Sequence, residues 1–371
     1  MIILHCALQQ AWDLAASTGE YGTSLVASKG YFSCYRPSDV NSDNFSFPTT
    51  MSYIILAINT DKLDPNIISD SGEAFNISKP IPTEAIVSLI PYAFDSDDKF
   101  YITPEIKDMN IVNKVLKQLE VSLSTLQYFR DGTSSRIILL NGSYIIKQND
   151  PKTLESETIF SSNYPLPKLQ HVIFNAPDYS YIVYNFIPGD VMHVVDDVPN
   201  LVENILEITK SYTTYNVEGF GYLHNLMPSW AEFIKSEVNA CSLTSSLLLE
   251  FLPQAYEAVE ALKDFDFDKK LIHGDFGTHN FIKQSGKFVG AIDPIPIAGD
   301  YLYDVIYALL SNVDCLSQAT PENIANITGE PIEKVKALLV SLLFCRLSTC
   351  LKHHKEDFET YIEFWTDITT K

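Results

Sequence analysis

The segment LIHGDFGTHNF, residues 271–281, places an aspartate and an asparagine five positions apart between short apolar runs. Another aspartate follows twelve residues after this segment, in AIDPIPIAGDYLYD, residues 291–304. The intervening SGK, residues 285–287, is typical of a hairpin turn. Because a hairpin brings its two ends together, the pattern predicts that Asn280 and Asp293 lie near each other.

These residue types suit one kind of chemistry. Carboxylate and amide oxygens are hard ligands for Mg²⁺, whose shell is usually completed by substrate phosphates. The pattern therefore predicts Asn280 and Asp293 as metal ligands. Asp275 is not needed for the metal and can orient an attacking hydroxyl and accept its proton. Positioned phosphates, a metal and a base are what phosphoryl transfer requires, so Asp275 is the predicted catalytic residue.

Other polar residues near this segment have simpler explanations. His273 is expected to pack and hydrogen-bond behind the loop, and His279 to be exposed. Asp300 precedes the apolar run YLYDVIYALL and is expected to cap a helix. Trp230 and Phe233 are expected in the core.

Composition limits the possible partners. The chain has 371 residues, a formal net charge of −21 and a pI of about 4.7. This balance argues against nucleic acid or an anionic membrane as a partner and is compatible with a cationic substrate. Six scattered cysteines without a CxxC pair argue against a disulfide framework. The start does not resemble a signal peptide and no apolar run reaches membrane-spanning length, so we expect a cytoplasmic location.

The order of predicted elements favours an α+β chain of more than one domain. Residues 1–104 are predicted to form a small α+β unit, and residues 104–129 a helix. Asn141-Gly142 predicts a β-hairpin within residues 135–149. After Gly189 the pattern becomes helical, interrupted by the strands and loops around residue 275. Strands followed by helices fit two lobes better than a doubly wound sheet.

The compound motif H-G-D-x-x-x-x-N, I-D and G-D-x-x-x-D resembles the signature of the aminoglycoside phosphotransferase family, which has a protein-kinase-like fold. The matching residues are His273, Gly274, Asp275, Asn280, Ile292, Asp293, Gly299, Asp300 and Asp304. Three further segments are similar to the family: YPLPKL (164–169), YIVYNFIPGD (181–190) and EGFGYLHNLMPSWAEFI (218–234). Within the family, HGDFGTHN and SWAEFI look closest to hygromycin B phosphotransferase and its relatives.

The resemblance implies a bilobal kinase-like fold. It implies a β-rich nucleotide-binding lobe at 105–188 and a helical lobe at 189–371 that carries the catalytic and acceptor sites, preceded by the accessory domain 1–104. The implied cofactors are ATP, with GTP possible, and Mg²⁺. The implied acceptor is a small cationic molecule, and the oligomeric state stays open.

The resemblance also implies a nucleotide site. Lys147, on the second strand of the Asn-Gly hairpin, is the candidate for the phosphate-binding lysine. Its carboxylate partner is expected on the next helix, at Glu155 or alternatively Glu157. Ser134 lies in the expected nucleotide loop, and the backbone groups of Asn185 and Ile187 are expected to meet the adenine ring. The family implies, too, that Asp300 braces the catalytic loop.

The first hundred residues resemble a small bacterial domain family of unknown function that is distantly like ADP-ribosyltransferases. The partial matches are His5, Trp12, Gly19, Tyr21, Gly30, Phe32 and Cys34. Ser33 stands where that family has its second histidine, which puts transferase chemistry in doubt. Cys34 is expected to be a buried, small apolar residue.

The sequence thus predicts a small-molecule O-phosphotransferase, most similar to an aminoglycoside kinase that confers antibiotic resistance. One alternative is a metabolic kinase for a sugar, choline or an amino alcohol. Another is a non-catalytic nucleotide-sensing or toxin-associated module. The acidic C-terminal segment HHKEDFETYIEFW (353–365) is either a solvated helix face or part of the acceptor site.

Overall fold

The structure is a computed structural model. It describes the chain except residues 23–25, 28, 36–52, 73, 91, 95–99, 103–108, 123–125, 130–134, 165, 167, 177–179 and 371. The chain divides into two compact units, Met1–Asn149 and Asp150–Lys371. The domain boundaries after residues 104 and 188 remain predictions.

The first unit is built mainly of antiparallel strands. Its central sheet has the order Ile2–Leu8, Tyr53–Asn59 and Ile86–Ile90. The smaller sheets pair Glu20–Tyr21 with Ile81–Pro82, Tyr92–Phe94 with Phe100–Ile102, and Phe75–Ile77 with both Phe32–Cys34 and Ile68–Asp70. The helix of this unit, Gln9–Thr18, ends before Gly19.

The chain after residue 104 differs from the prediction of one long helix. The helix there is Met109–Leu119, and Glu120 then takes a positive φ of 55°. Leu126–Phe129 is a strand that pairs with Arg136–Leu140. The single-helix prediction was wrong because the pairing of Leu126–Phe129 with a neighbouring strand overrides the local helical pattern.

The predicted Asn-Gly hairpin is confirmed. Arg136–Leu140 pairs antiparallel with Tyr144–Gln148, with Leu140 opposite Tyr144. Asn141 and Gly142 have φ values of 55° and 63°. Positive φ at both central positions is the twist that suits a tight β-hairpin, and asparagine and glycine tolerate it best.

Two residues on which the resemblance of the first unit rests, His5 and Cys34, are buried. The Nδ1 atom of His5 lies 2.7 Å from the carbonyl oxygen of Ser33. Burial lowers the pKa of His5 to about 4. Cys34 is completely buried, and burial raises the pKa of its thiol, so the prediction of a small buried residue is confirmed.

The second unit combines small antiparallel sheets with most of the helices. A four-stranded sheet has the order Asn225–Met227, Phe220–Tyr222, Ile297–Gly299 and Lys270–Ile272. A three-stranded sheet has the order Asp190–Val191, Phe281–Gln284 and Lys287–Ala291. Val172–Asn175 and Tyr181–Asn185 form a further antiparallel pair. The helices are Pro151–Asn163, Val198–Lys210, Trp230–Ser242, Leu252–Ala261, Leu302–Leu310, Pro321–Thr328, Ile332–His353 and Phe358–Thr370.

Aromatic and aliphatic side chains fill the core of this unit. Trp230 and Phe233 are each 1% exposed, which confirms them as core residues. Their ring centroids lie 5.3 Å apart, and Trp230 also contacts Tyr303 edge to face at 5.8 Å. Complete burial of one such side chain contributes on the order of 2–3 kcal/mol, so these aromatic residues contribute strongly to the stability of the second unit.

Candidate active site

Residues 273–280 contain Asp275, the predicted catalytic residue, and are called the catalytic loop after that prediction. They leave the four-stranded sheet at the end of Lys270–Ile272. Gly274 has a φ of +80°, and a Cβ built there would lie 2.0 Å from the carbonyl oxygen of Ile295. The Ile295 N–H in turn donates to the carbonyl of His273 at 2.9 Å. Only glycine fits this close approach of two backbones, so the packing restricts the loop to one backbone conformation.

In this conformation the Asp275 carboxylate lies among several hydrogen-bond donors. The Tyr307 hydroxyl donates to Oδ1 at 2.7 Å, and the Nδ2 of Asn280 donates to Oδ2 at 2.9 Å. The Nε2 of His279 lies 3.2 Å from Oδ1. Burial raises the pKa of Asp275. The hydrogen bond and charge of His279 and the hydrogen bond from Tyr307 lower it by more, so the pKa is about 2. Asp275 is therefore ionised at neutral pH, with 21% of its side chain exposed.

The backbone brings together the two segments that carry the predicted metal ligands. Phe281–Gln284 and Lys287–Ala291 form the hairpin that the sequence predicted, and the Ile292 N–H donates to the carbonyl of Asn280 at 3.0 Å. Asp293, the next residue, has a φ of 61° and is half-buried.

The residues present suit a hard cation. Both hydrogen bonds of the Asn280 side chain use its Nδ2 atom, one to the Asp275 carbonyl and one to its carboxylate. Among the described residues its Oδ1 atom accepts no hydrogen bond, so this oxygen can serve as a ligand. With the Asp293 carboxylate it supplies the oxygen donors that Mg²⁺ prefers.

Asp304, not Asp300, braces the catalytic loop. The completely buried Asp304 carboxylate accepts hydrogen bonds from the backbone N–H groups of His273 and Gly274, at 2.7 and 3.0 Å. It also accepts one from the Tyr212 hydroxyl at 2.9 Å. Burial raises the pKa of Asp304 to about 7, although these donors favour the ionised form. The prediction for Asp300 was wrong in this respect, because only the folded loop shows which aspartate its backbone faces.

Asp300 instead anchors the start of the next helix. Its Oδ1 accepts from the Leu302 N–H at 2.9 Å, which agrees with the predicted capping role. Its Oδ2 lies 3.0 Å from the Nζ of the buried Lys334. Burial raises the pKa of Asp300, and the Lys334 charge opposes this shift.

The two histidines of the motif have different environments. His273 is 1% exposed and its Nε2 lies 3.1 Å from the Ile292 carbonyl, so its expected packing role is confirmed. Burial lowers its pKa to about 4, which keeps the ring neutral at pH 7. The His279 side chain is 51% exposed, as expected, but its contact with Asp275 was not anticipated.

Tyr307 is the functional candidate that sequence reasoning missed. It follows Asp304 by three residues on the helix Leu302–Leu310, and its ring stacks on Tyr303 with centroids 5.9 Å apart. Its hydroxyl reaches a residue 32 positions earlier in the chain. The spacing of Tyr303 and Tyr307 indicates a shared helix face, but no sequence signal points that face at Asp275.

Each unit contains some of the residues that were predicted to bind nucleotide. In the first unit, Lys147 is 4% exposed on the strand Tyr144–Gln148, opposite Ile137. In the second unit, Glu155 is 46% exposed and lies 3.7 Å from His224, whereas Glu157 is completely buried and accepts a hydrogen bond from the Tyr184 hydroxyl. Burial raises the pKa of Tyr184 well above its usual value, and the charge of Glu157 adds to this shift.

The remaining nucleotide candidates are backbone positions. Asn185 ends the strand Tyr181–Asn185, and its N–H donates to the carbonyl of His171 at 3.3 Å. The side chain of Ile187 lies against Gly290, where a Cβ would be 2.8 Å from its Cδ1 atom. That side chain is therefore used for packing, in keeping with a role of the backbone alone. Ser134 lies outside the described residues.

Solved structures with similar folds define the fold of this chain. It matches aminoglycoside phosphotransferase APH(4)-Ia with a TM-score of 0.52 and 14% identity, over 70% of this chain and 97% of that one. A thermostable mutant of that enzyme, in ternary complex with AMP-PNP and hygromycin B, matches with a TM-score of 0.53 and 16% identity, over 69% and 97% of the two chains. A ternary complex with ADP and hygromycin B gives a TM-score of 0.51 at 15% identity, over 69% and 96%. The chain thus has the kinase-like fold of these phosphotransferases.

A family comparison then identifies the chain. The model of the phosphotransferase enzyme family matches residues 125–325, more than half of the 371 residues. The chain belongs to this family and is an enzyme that transfers phosphate to a hydroxyl group. No curated protein sequence matches the chain. In the described part of the chain, none of the helices has the length and apolar character that a bilayer crossing requires.

Proposed function

We propose that this enzyme transfers the γ-phosphate of ATP to a hydroxyl of an aminoglycoside or a related aminocyclitol. The observation that carries the proposal is the Asp275 carboxylate, which is ionised and held by Tyr307, His279 and Asn280. The backbone bond between Ile292 and Asn280, one residue before Asp293, supports the pairing of Asn280 and Asp293.

Asp275 acts mainly by orienting the acceptor. A carboxylate whose pKa is about 2 is a weak base, so it does not remove the hydroxyl proton before the phosphorus–oxygen bond forms. It accepts a hydrogen bond from the hydroxyl, aligns the oxygen with the phosphoryl group and takes the proton late in the transfer. The three groups that contact its two oxygens fix the direction in which the carboxylate points.

Asn280 and Asp293 are the proposed ligands of Mg²⁺. When bound, the ion neutralises phosphate charge. The Nδ2 bonds of Asn280 to Asp275 hold the amide so that its Oδ1 faces away from the carboxylate. The positive φ of Asp293 sets the direction in which its Cα–Cβ bond leaves the backbone.

For the nucleotide we propose Lys147 as the phosphate-binding lysine, the backbone of Asn185 and Ile187 at the adenine, and Ser134 in the phosphate loop. Of the two candidate carboxylates, we favour Glu157 over Glu155 for a role in nucleotide binding. A completely buried carboxylate requires strong partners, whereas an exposed one is satisfied by water. GTP remains an alternative donor.

A cationic acceptor agrees with the charge of the chain. The net charge of −21 attracts cations and repels anions over a distance set by the ionic strength. Two of the structures with similar folds hold hygromycin B. A phosphate adds negative charge to a cationic aminoglycoside and should weaken the binding of the drug to its target. The proposed activity would therefore confer antibiotic resistance in the cytoplasm.

The test is phosphate transfer to a panel of acceptors. The protein is incubated with Mg²⁺ and ATP or GTP, and with kanamycin, hygromycin B, choline or a simple sugar, and products are identified by mass spectrometry. We expect one added phosphoryl group on an aminoglycoside. Transfer only to choline or a sugar would refute the proposed acceptor, and no transfer to any compound would refute the proposed reaction.

A further inference from the structure

Cys241 and Cys345 form a pair of thiols between two packed helices of the second unit. Cys241 lies in the last turn of the helix Trp230–Ser242, and Cys345 lies within the helix Ile332–His353, which packs against it. Both thiol side chains are half-buried, whereas the other three cysteine side chains that the structure describes are buried. Oxidants reach only thiols that keep some exposure, so this pair differs from the other described cysteines.

A hydroxyl contact one turn further along each helix sets the register of the pair. The Thr244 hydroxyl oxygen lies 2.7 Å from the Ser348 hydroxyl oxygen. Thr244 follows Cys241 by three residues, and its N–H donates to the Cys241 carbonyl at 3.0 Å, so the helical turn continues to it. Ser348 follows Cys345 by the same interval on its own helix. Residues three positions apart share a helix face, so the hydroxyl contact places the two cysteines opposite each other.

The two thiols also differ in acidity. Hydrogen bonding with the Cys345 thiol lowers the pKa of Cys241 and outweighs burial, which raises it. The same contact, together with burial, holds the pKa of Cys345 well above its usual value. Because the thiolate is the nucleophilic form, Cys241 is the thiol that reacts first, and Cys345 is the protonated thiol beside it. A reactive thiol next to a second thiol is the arrangement in which oxidation ends as a disulfide.

We propose that Cys241 and Cys345 are a redox modification site, which hydrogen peroxide converts to a reversible disulfide between the two helices. The Cys241 thiolate attacks one peroxide oxygen and becomes a sulfenic acid. The O–O bond breaks, and the other oxygen leaves as hydroxide, which takes up the thiol proton to give water. The Cys345 thiol then forms the S–S bond at the sulfenic sulfur, and the S–O bond breaks with loss of a second water. Two thiols are thus oxidised and one peroxide is reduced.

The second thiol gives the oxidation a reversible end point. A sulfenic acid without a partner is oxidised further to a sulfinic acid, which thiol reductants do not restore. The disulfide, by contrast, returns to two thiols by exchange with a dithiol. It also closes a loop of about 100 residues, which restricts the unfolded chain and should raise the melting temperature of the protein. None of these steps involves the phosphate acceptor, so the inference is independent of the proposed function.

Peptide mass spectrometry of the folded protein after treatment with hydrogen peroxide tests the site. Remaining thiols are alkylated before digestion. We expect a cross-linked pair of peptides that joins Cys241 to Cys345, about 2 Da lighter than the two reduced peptides, and its loss after dithiothreitol treatment. Cys345→Ser should lack this cross-link and accumulate sulfinic acid at Cys241, about 32 Da heavier than the thiol. Cys350→Ala is the matched control, since Cys350 is buried on the same helix, and it should form the cross-link as the wild type does.

Thermal unfolding gives a second readout. The oxidised wild type should melt about 5–15 °C above the reduced protein, and peroxide should not raise the melting temperature of Cys345→Ser. Recovery of Cys241 from the peroxide-treated wild type as a thiol or a sulfinic acid would overturn the inference, even if Cys345→Ser does not fold. A cross-link that forms only in urea, or that lowers the melting temperature, would also overturn it, because the native helices would then not hold the two thiols within bonding distance.

Discussion

Replacement of Gly274 by alanine tests whether backbone packing holds the catalytic loop in its active path. Gly274 has a φ of +80°, so an alanine there is strained by about 1 kcal/mol before any contact is considered. Its Cβ would lie 2.0 Å from the Ile295 carbonyl oxygen, whereas ordinary contacts begin at 3.4 Å. The two backbones must therefore separate by about 1.4 Å.

The expected cost combines strain and overpacking. Overpacking in a rigid environment adds about 1–3 kcal/mol, so Gly274→Ala should lower the free energy of unfolding by about 2–4 kcal/mol. A shift of about 1 Å in the loop also misplaces Asp275, for which a loss of about 100-fold in kcat/KM is expected. Gly286→Ala is the control, since Gly286 has a φ of +78° and its Cβ meets nothing within 4 Å. It should lose only about 1 kcal/mol.

Urea unfolding followed by tryptophan fluorescence gives the free energy of unfolding. Trp230 and Trp365 are both buried in the second unit and report on its core. Phosphate transfer from ATP to the best acceptor of the panel gives kcat/KM. If Gly274→Ala and Gly286→Ala lose equal stability and Gly274→Ala keeps its kcat/KM, the close approach to Ile295 does not position the loop.

Three further perturbations test other parts of the site. The pKa of His273 is about 4 when folded and about 6.5 when unfolded, so its contribution to stability is present above pH 6.5 and lost as the pH falls toward 4. Between pH 7.5 and 5, protonation of His273 in the unfolded chain lowers the free energy of unfolding by about 2 kcal/mol. Urea unfolding of His273→Gln should lack this loss. If the free energy of unfolding of His273→Gln falls with pH as steeply as that of the wild type, the ring is not buried in its neutral form. Glu157→Gln should weaken ATP binding by about tenfold in calorimetry while Glu155→Gln stays within about twofold, and equal effects would exclude this choice of carboxylate. Tyr307→Phe removes a donor from Asp275 and should lower kcat by about tenfold with KM for ATP unchanged; an unaltered kcat would show that the bond does not orient the base.

The hairpin between Asn280 and Asp293 could be predicted from the sequence. Glycine and serine at 285–286 favour a tight hairpin, and the hairpin was confirmed with the backbones of Asn280 and Ile292 paired. These predictions succeeded because the relevant contacts are local and the turn chemistry is specific. The catalytic and metal assignments themselves remain proposals.

Long-range contacts could not be predicted in this way. The bonds from Tyr307 to Asp275 and from Asp304 to the catalytic loop join residues about 30 positions apart. Which face of the helix Leu302–Leu310 meets the loop depends on packing with the rest of the core. The choice of Glu157 over Glu155 likewise needed burial, although Asp150-Pro151 is a helix-start signal that would have defined the helix and its faces.

Phosphate transfer by Asp275→Asn tests the central claim most directly. The variant keeps the shape of the side chain but removes its charge and basicity. With Mg²⁺, ATP and the best aminoglycoside acceptor, the account predicts a loss of about 10²- to 10⁴-fold in kcat while calorimetric ATP affinity stays within about twofold. Transfer at the wild-type rate by Asp275→Asn would contradict the assignment of Asp275 as the residue that orients and deprotonates the acceptor.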